Sequence, residues 1–132
     1  MSDQQEIADV LVRYASGIDR RDWARFRSCW TEDCDVDYGA VGHWHGADEV
    51  TAWAESVHAP CGYTMHRITN MDISVCGDAA TARSYSDALV LRADNVAGNE
   101  VDAWYDDELV RTADGWKIAH RRLTIVRVQA VG

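Results

Sequence analysis

The sequence predicts an α+β fold in which about three N-terminal helices precede a long antiparallel sheet. Two patterns predict it. Apolar residues recur at steps of three and four as far as Val57, and from Tyr63 onward they fall in long strand-like runs separated by short Gly, Asp and Asn turns. Size is the third observation: 132 residues suit one domain, which buries roughly two-thirds of the surface its unfolded chain exposes. No repeat, low-complexity stretch or internal linker interrupts the chain, so residues 1–132 are read as a single domain.

Ile7, Val10, Leu11, Tyr14, Ala15 and Ile18 form one stripe, which predicts an amphipathic helix over residues 4–18. Asp19-Arg-Arg-Asp22 breaks the pattern. Trp23, Phe26 and Trp30 restart it after Asp22, a natural N-cap, so a second helix begins there. Cys34, Val36 and Tyr38 alternate as on a strand, and residues 39–46 read as a loop. Val50, Trp53, Ala54 and Val57 share a face of a third helix that ends before Pro60. Strands are then expected over 63–75, 79–92, 100–112 and 116–129, joined by turns at Gly77-Asp78, Asn95–Asn99 and Asp114-Gly115 as an antiparallel meander. Helices can then cover one face of the sheet.

Composition narrows the function. A net charge of −9, from 22 acidic against 13 basic residues, disfavours nucleic acid and anionic membranes as partners, since both select basic surfaces. No apolar run approaches the ~20 residues that span a bilayer. The polar start Met-Ser-Asp-Gln-Gln-Glu is unlike a secretion signal, so a cytoplasmic location is expected. Cys29, Cys34, Cys61 and Cys76 include no Cys-x-x-Cys pair and are read as reduced core thiols. No Gly-rich phosphate loop is present, and no cofactor is expected. His43 and His45 form a His-x-His, but the sequence shows no third ligand nearby, so no metal role is assigned to them.

Three segments carry the functional signal: Tyr14-Ala-Ser-Gly-Ile-Asp-Arg-Arg-Asp-Trp23, Tyr63-Thr-Met-His-Arg67 and Trp104-Tyr-Asp-Asp-Glu108. In this order they resemble the nuclear transport factor 2-like superfamily, and within it the SnoaL-like branch that contains scytalone dehydratase and hexachlorocyclohexane dehydrochlorinase. The resemblance covers nearly the whole chain. It implies a cone-shaped barrel, a strongly bent sheet wrapped around the helices with an internal cavity, and commonly a dimer or trimer. It also implies that Asp19 is a pocket carboxylate, that Thr64-Met-His66 carries a catalytic histidine, and that Tyr38 lies where the dehydratase has a pocket tyrosine. Asp106 falls where that enzyme has a substrate-binding asparagine, and Arg121 matches an arginine of the dehydrochlorinase pocket. Tyr14 stands where the dehydrochlorinase has a lysine. The dehydratase's second histidine has no counterpart, its position falling near Arg92, and its tyrosine beside the acid is Ile18 here.

A carboxylate beside an imidazole moves protons near neutral pH, because the carboxylate orients the ring and stabilises its charged form. Asp19 and His66 are accordingly expected to be catalytic, with Tyr14, Tyr38, Asp106 and Arg121 binding substrate. The parity that Asp106 shares with Trp104 and Val110 allows it to point inward. Arg121, on an otherwise apolar face, needs an anion, which Asp106 or Asp19 supplies. The structural alternatives are a helix cap or Arg67 partner for Asp19, a core histidine for His66, a solvated acidic edge for Asp106 and a plain ion pair for Arg121. The expected function is a cofactor-independent dehydratase or eliminase acting on a small cyclic hydrophobic molecule. Double-bond isomerisation, polyketide cyclisation and a non-catalytic ligand-binding or protein-interaction module are the alternatives.

Overall fold

In the computed structural model, which describes residues 1–132, helix α1 spans Asp3–Asp19. It starts with a capping box in which Ser2 Oγ accepts from the Gln5 backbone N–H and the Gln5 side chain accepts from that of Ser2. Two donors that a bare helix end leaves unpaired are thereby satisfied. The expected stripe from Ile7 to Ile18 is buried. Helix α2 (Trp23–Arg27) is capped by Asp22, whose side chain accepts from the Arg25 N–H.

Trp30 departs from its helical spacing and opens strand β1 (Trp30–Asp37). The physical reason is a sheet hydrogen bond one residue earlier: the Ile118 N–H donates to the Cys29 carbonyl at 2.8 Å, which draws the chain out of the helix. A 3-10 turn at Gly39–Val41 leads to β2 (His43–His45), a short strand inside the segment read as a loop. Helix α3 (Ala47–His58) ends ahead of Pro60. Strands β3 (Cys61–Cys76), β4 (Ala79–Arg92), β5 (Gly98–Thr112) and β6 (Gly115–Val131) form the expected meander.

The six strands make one sheet in the order β2-β1-β6-β5-β4-β3. Every pairing is antiparallel except β1 with β6, which is parallel, so the sheet is mixed rather than wholly antiparallel. Periodicity reports which residues face inward, and it is silent on which free edge an isolated strand joins. The sheet stays open, with β2 and β3 as its edges, and it curls around the helices as the cone fold requires. Register shifts between Thr69 and Asp72, Asp102 and Ala103, and Glu108 and Leu109 mark β-bulges, with Asn70 at φ 49° in the first. Each bulge bends its strand and sharpens the twist.

The core joins α1 (Ile7, Leu11, Ile18) to Phe26, Trp30, Val36, Leu109 and Ile118. The outer face of the sheet carries exposed cross-strand pairs, Arg67–Asp87, Arg83–Asp106 and Arg127–Asp102. Each is worth at most about 1 kcal/mol, but all three sit directly opposite in register and so favour the observed pairing. Of the cysteines, only Cys29 and Cys34 are core thiols; Cys61 is half-buried and Cys76 exposed, because they lie at the two ends of edge strand β3. No helix is long and apolar enough to cross a membrane.

Gly17 lets α1 and α2 cross closely. A Cβ there would stand 2.9 Å from the Phe26 backbone nitrogen and 3.0 Å from its Cα. Alanine improves helix propensity by about 1 kcal/mol, whereas overpacking against a fixed backbone costs about 1–3 kcal/mol. Gly17→Ala is therefore expected to lower stability in urea unfolding. A gain of the propensity value would mean that α2 yields without cost.

Candidate active site

The last residue of α1 reaches the first half of β3. Asp19 Oδ1 lies 2.8 Å from His66 Nδ1 and accepts from Thr64 Oγ1 at 2.9 Å, while Oδ2 accepts from the His66 backbone N–H at 2.7 Å. Asp19 thus binds both the ring and the main chain of His66. With Nδ1 engaged, the ring nitrogen left for another molecule is Nε2. Arg21, at φ 57°, braces the arrangement from behind by donating to Thr64 Oγ1, the Ile18 carbonyl and the Gly62 carbonyl. The His66 side chain is 9% exposed and that of Asp19 is 23%. Burial pushes the Asp19 carboxyl up, but the ring and backbone hydrogen bonds from His66, the electrostatic pull of its ring and the hydrogen bond from Thr64 together outweigh burial and hold the pKa below the ordinary value.

His66 forms part of the wall of a cavity of about 300 Å³ lined mostly by apolar residues, with Tyr14, Tyr38, Trp53, His58 and Tyr105 among them. The structure brings the two expected tyrosines together: the Tyr14 and Tyr38 hydroxyls are 2.6 Å apart, and the Tyr105 hydroxyl donates to that of Tyr14 at 3.4 Å. Burial, then Tyr105, push the Tyr14 and Tyr38 hydroxyls up, against a lowering pull from Arg121 and, for Tyr38, from the Tyr14 hydrogen bond. Both stay neutral donors. If Tyr105 donates to Tyr14 and Tyr14 to Tyr38, the Tyr38 proton is the one free to enter the cavity.

Arg121 is 1% exposed and lies behind the tyrosines rather than in the cavity wall. Its guanidinium carbon stands 3.8 Å from the Tyr105 ring centre and 4.3 Å from that of Tyr14. Its anion is neither Asp19 nor Asp106 but Asp107, bound through two hydrogen bonds of 2.7 and 2.8 Å. Burial opposes the charge on Arg121, and the Asp107 carboxylate more than restores it, so the pKa remains well above its ordinary value. One guanidinium nitrogen, NH1, is buried without a partner.

Asp106 does not belong to the site. It is on the outer face, paired with Arg83. Strand β5 presents Ala103, Tyr105, Asp107 and Leu109 to the core, so Trp104 and Asp106 share the opposite parity. On β6 the extra residue is Ala119, so the inward positions run Trp116, Ile118 and then Arg121.

Sequence reasoning missed three residues here: Asp107, Tyr105 and His58. His58, in the last turn of α3, donates Nδ1–H to the Ala54 carbonyl at 2.7 Å, which leaves Nε2 as an acceptor. Burial holds its pKa below the ordinary value against the raising effect of that hydrogen bond. Its ring centre is 6.2 Å from that of His66. The only sequence signal was its position one helical turn after Ala54 on the cavity face.

Comparison with known proteins identifies the family and agrees with the fold. The model of the SnoaL-like domain matches residues 1–122. An uncharacterised protein of Mycobacterium tuberculosis is 33% identical over 123 residues, 92% of this chain and 84% of that protein. Among solved structures, a Kribbella flavida protein superposes with a TM-score of 0.86 at 28% identity, covering 96% of this chain and 93% of that one. A hexachlorocyclohexane dehydrochlorinase, LinA type 2, gives 0.87 at 22% identity, covering 98% and 88%. A scytalone dehydratase-like protein of Novosphingobium aromaticivorans gives 0.88 at 21%, covering 96% and 85%. These last two likenesses show a shared fold.

A carboxyl with a lowered pKa stabilises the fold at pH above its unfolded value, and that contribution disappears as pH falls through the folded value. The stability advantage of the wild type over Asp19→Asn is therefore expected to be constant above about pH 5 and to shrink below about pH 4. Urea unfolding across that range measures it. An advantage that persists unchanged to about pH 2 would show that the Asp19 charge contributes nothing.

Proposed function

Because the chain belongs to the SnoaL-like domain family, we propose that it is a cofactor-independent lyase, a dehydratase or related eliminase, acting on a small cyclic hydrophobic molecule. The observation that carries this reading is the His66 ring held 2.8 Å from Asp19 on the wall of a mostly apolar cavity that also presents phenol hydroxyls. A volume of about 300 Å³ is at the small end of ligand pockets, which run to about 1,000 Å³, and favours a substrate of one or two rings.

The bond changes follow from the groups present. Neutral His66 donates Nδ1–H to Asp19 and uses the Nε2 lone pair to take a proton from a carbon next to a carbonyl. The released electron pair moves onto the carbonyl oxygen as an enolate, which accepts a hydrogen bond from Tyr38. Arg121 acts through the tyrosines: its charge beneath the rings makes their hydroxyls better donors. Collapse of the enolate breaks the C–O bond at the next carbon and forms the C=C bond. The hydroxyl leaves as water with the proton that His66 carried. Asp19 stabilises the intervening imidazolium.

Isomerisation and cyclisation begin with the same proton abstraction. His58 favours elimination, since its free Nε2 is an acceptor suited to holding the hydroxyl that leaves.

Cyclic β-hydroxyketones of one or two rings are the probes that this chemistry selects. In D₂O the wild type is expected to exchange the α-proton and to release water, both followed by proton NMR. His66→Ala and Asp19→Asn should each slow turnover by roughly 10² or more. The double variant should lose little beyond the worse single one, because groups acting as a unit are non-additive. Retained turnover in His66→Ala would remove His66 as the base, and losses that multiply would separate the pair. Probes that bind the wild type tightly without exchange would favour a ligand-binding module.

A further inference from the structure

The outer face of β1 carries a cluster that the proposed reaction leaves unused. Val36 and Tyr38 point into the core, so Asp35 points out. On β2, Trp44 packs inward against Trp53 with ring centres 3.9 Å apart, which turns His43 and His45 to the same outer side as Asp35. The register sets Asp35 directly opposite His45 on β2 and beside His120 on β6. As a result, Asp35 Oδ1 lies 2.8 Å from His43 Nε2 and 2.9 Å from His45 Nδ1, and Oδ2 lies 3.2 Å from His120 Nε2.

We propose that Asp35, His43 and His45 bind a divalent transition metal of the zinc type, with His120 holding the second oxygen of the carboxylate. The donor set, two imidazoles and a carboxylate, is one that zinc accepts. One ligand atom from each residue lies within 4.8 Å of the others, and a tetrahedral zinc with bonds of about 2.0–2.2 Å needs ligand atoms about 3.4 Å apart. Side-chain rotation, open to His43 and His45 at 47% and 72% exposure, brings the separations to that value by widening the present contacts of 2.8 and 2.9 Å to Asp35. The backbone is already fixed, because all three residues lie on paired strands. The fourth position faces solvent and suits a water molecule. His120, with Nε2 3.2 Å from the second Asp35 oxygen, stands where a partner orients a liganding carboxylate. The site stands on the opposite side of the sheet from the cavity, so its metal clips the three-residue β2 to β1 and takes no part in proton transfer.

The test is zinc titration of chelator-treated protein by calorimetry, in a Cys61→Ser, Cys76→Ser background that removes the accessible thiols. One equivalent is expected to bind and to raise the thermal midpoint. His43→Gln and His45→Gln should each weaken binding at least tenfold, with His120→Gln weakening it less. Circular dichroism should show an unchanged fold, as these side chains are half or more exposed or lie at the surface. No saturable uptake, or uptake unaffected by His43→Gln and His45→Gln, would overturn the site.

Discussion

The fold and the candidate site both depend on one carboxylate, that of Asp19. It sits at the C-terminal end of α1, where the helix dipole disfavours an anion by about 0.3–1 kcal/mol, and no basic side chain in the last turn offsets this. What holds it there are hydrogen bonds from the His66 ring, the His66 backbone and Thr64. Bonds to a charged group are worth about 1.5–3 kcal/mol each, so the contacts across to β3 outweigh the dipole. The same bonds fix where the helix meets the sheet and which tautomer His66 adopts. Gly17 makes the helix end accessible by letting Phe26 approach, and Arg21 secures the strand from the other side. A residue chosen for helix stability alone would not be an aspartate.

Behind the cavity a second constraint sets the polarity of the site. Burying Arg121 and Asp107 removes two charges from water, a cost that close pairing largely offsets without making the pair a large source of stability. The gain lies in placement. A guanidinium over the Tyr14 and Tyr105 rings makes favourable cation–π contacts and sets a fixed positive charge behind the cavity wall. The phenols above it are then hydrogen-bond donors and poor bases, which leaves His66 as the basic group of the cavity wall with a bound carboxylate partner. The proposed roles thus divide along the cavity, with proton removal at the α1–β3 end and oxyanion stabilisation over Arg121.

The helices and the four long strands were legible because each repeats one period for many residues. Asp19 and His66 were legible through the order of short motifs, and the geometry puts them in contact. What the sequence hid was parity and pairing. Strand β5 alternates without a break, so period two left two possible faces, and the reading took the face of Asp106 where the core holds Asp107; on β6 the bulge at Ala119 shifts the parity instead. The parallel pairing of β1 with β6 is a long-range choice with no local mark, and it alone brings His120 beside Asp35. Trp30 has helical spacing and strand geometry, because a hydrogen bond from Ile118, far along the chain, decides its conformation. His58 was missed for a different reason: its place one turn after Ala54 gains meaning only when the sheet closes over the helix end.

Strand β1 joins the two chemistries. Its inward side chains lead to Tyr38 at the cavity, and its outward Asp35 anchors the histidine cluster. The turn between them is closed by the Tyr38 N–H donating to the Gly42 carbonyl at 2.9 Å. Trp44 and Trp53 both meet the Tyr38 ring edge-on, at 5.6 and 5.7 Å. Because Trp44 lies between His43 and His45, whatever fixes those histidines on the outer face also fixes the indole that orients Tyr38 on the inner one. Short β2, pinned from outside, therefore sets the position of the phenol assigned to meet the substrate.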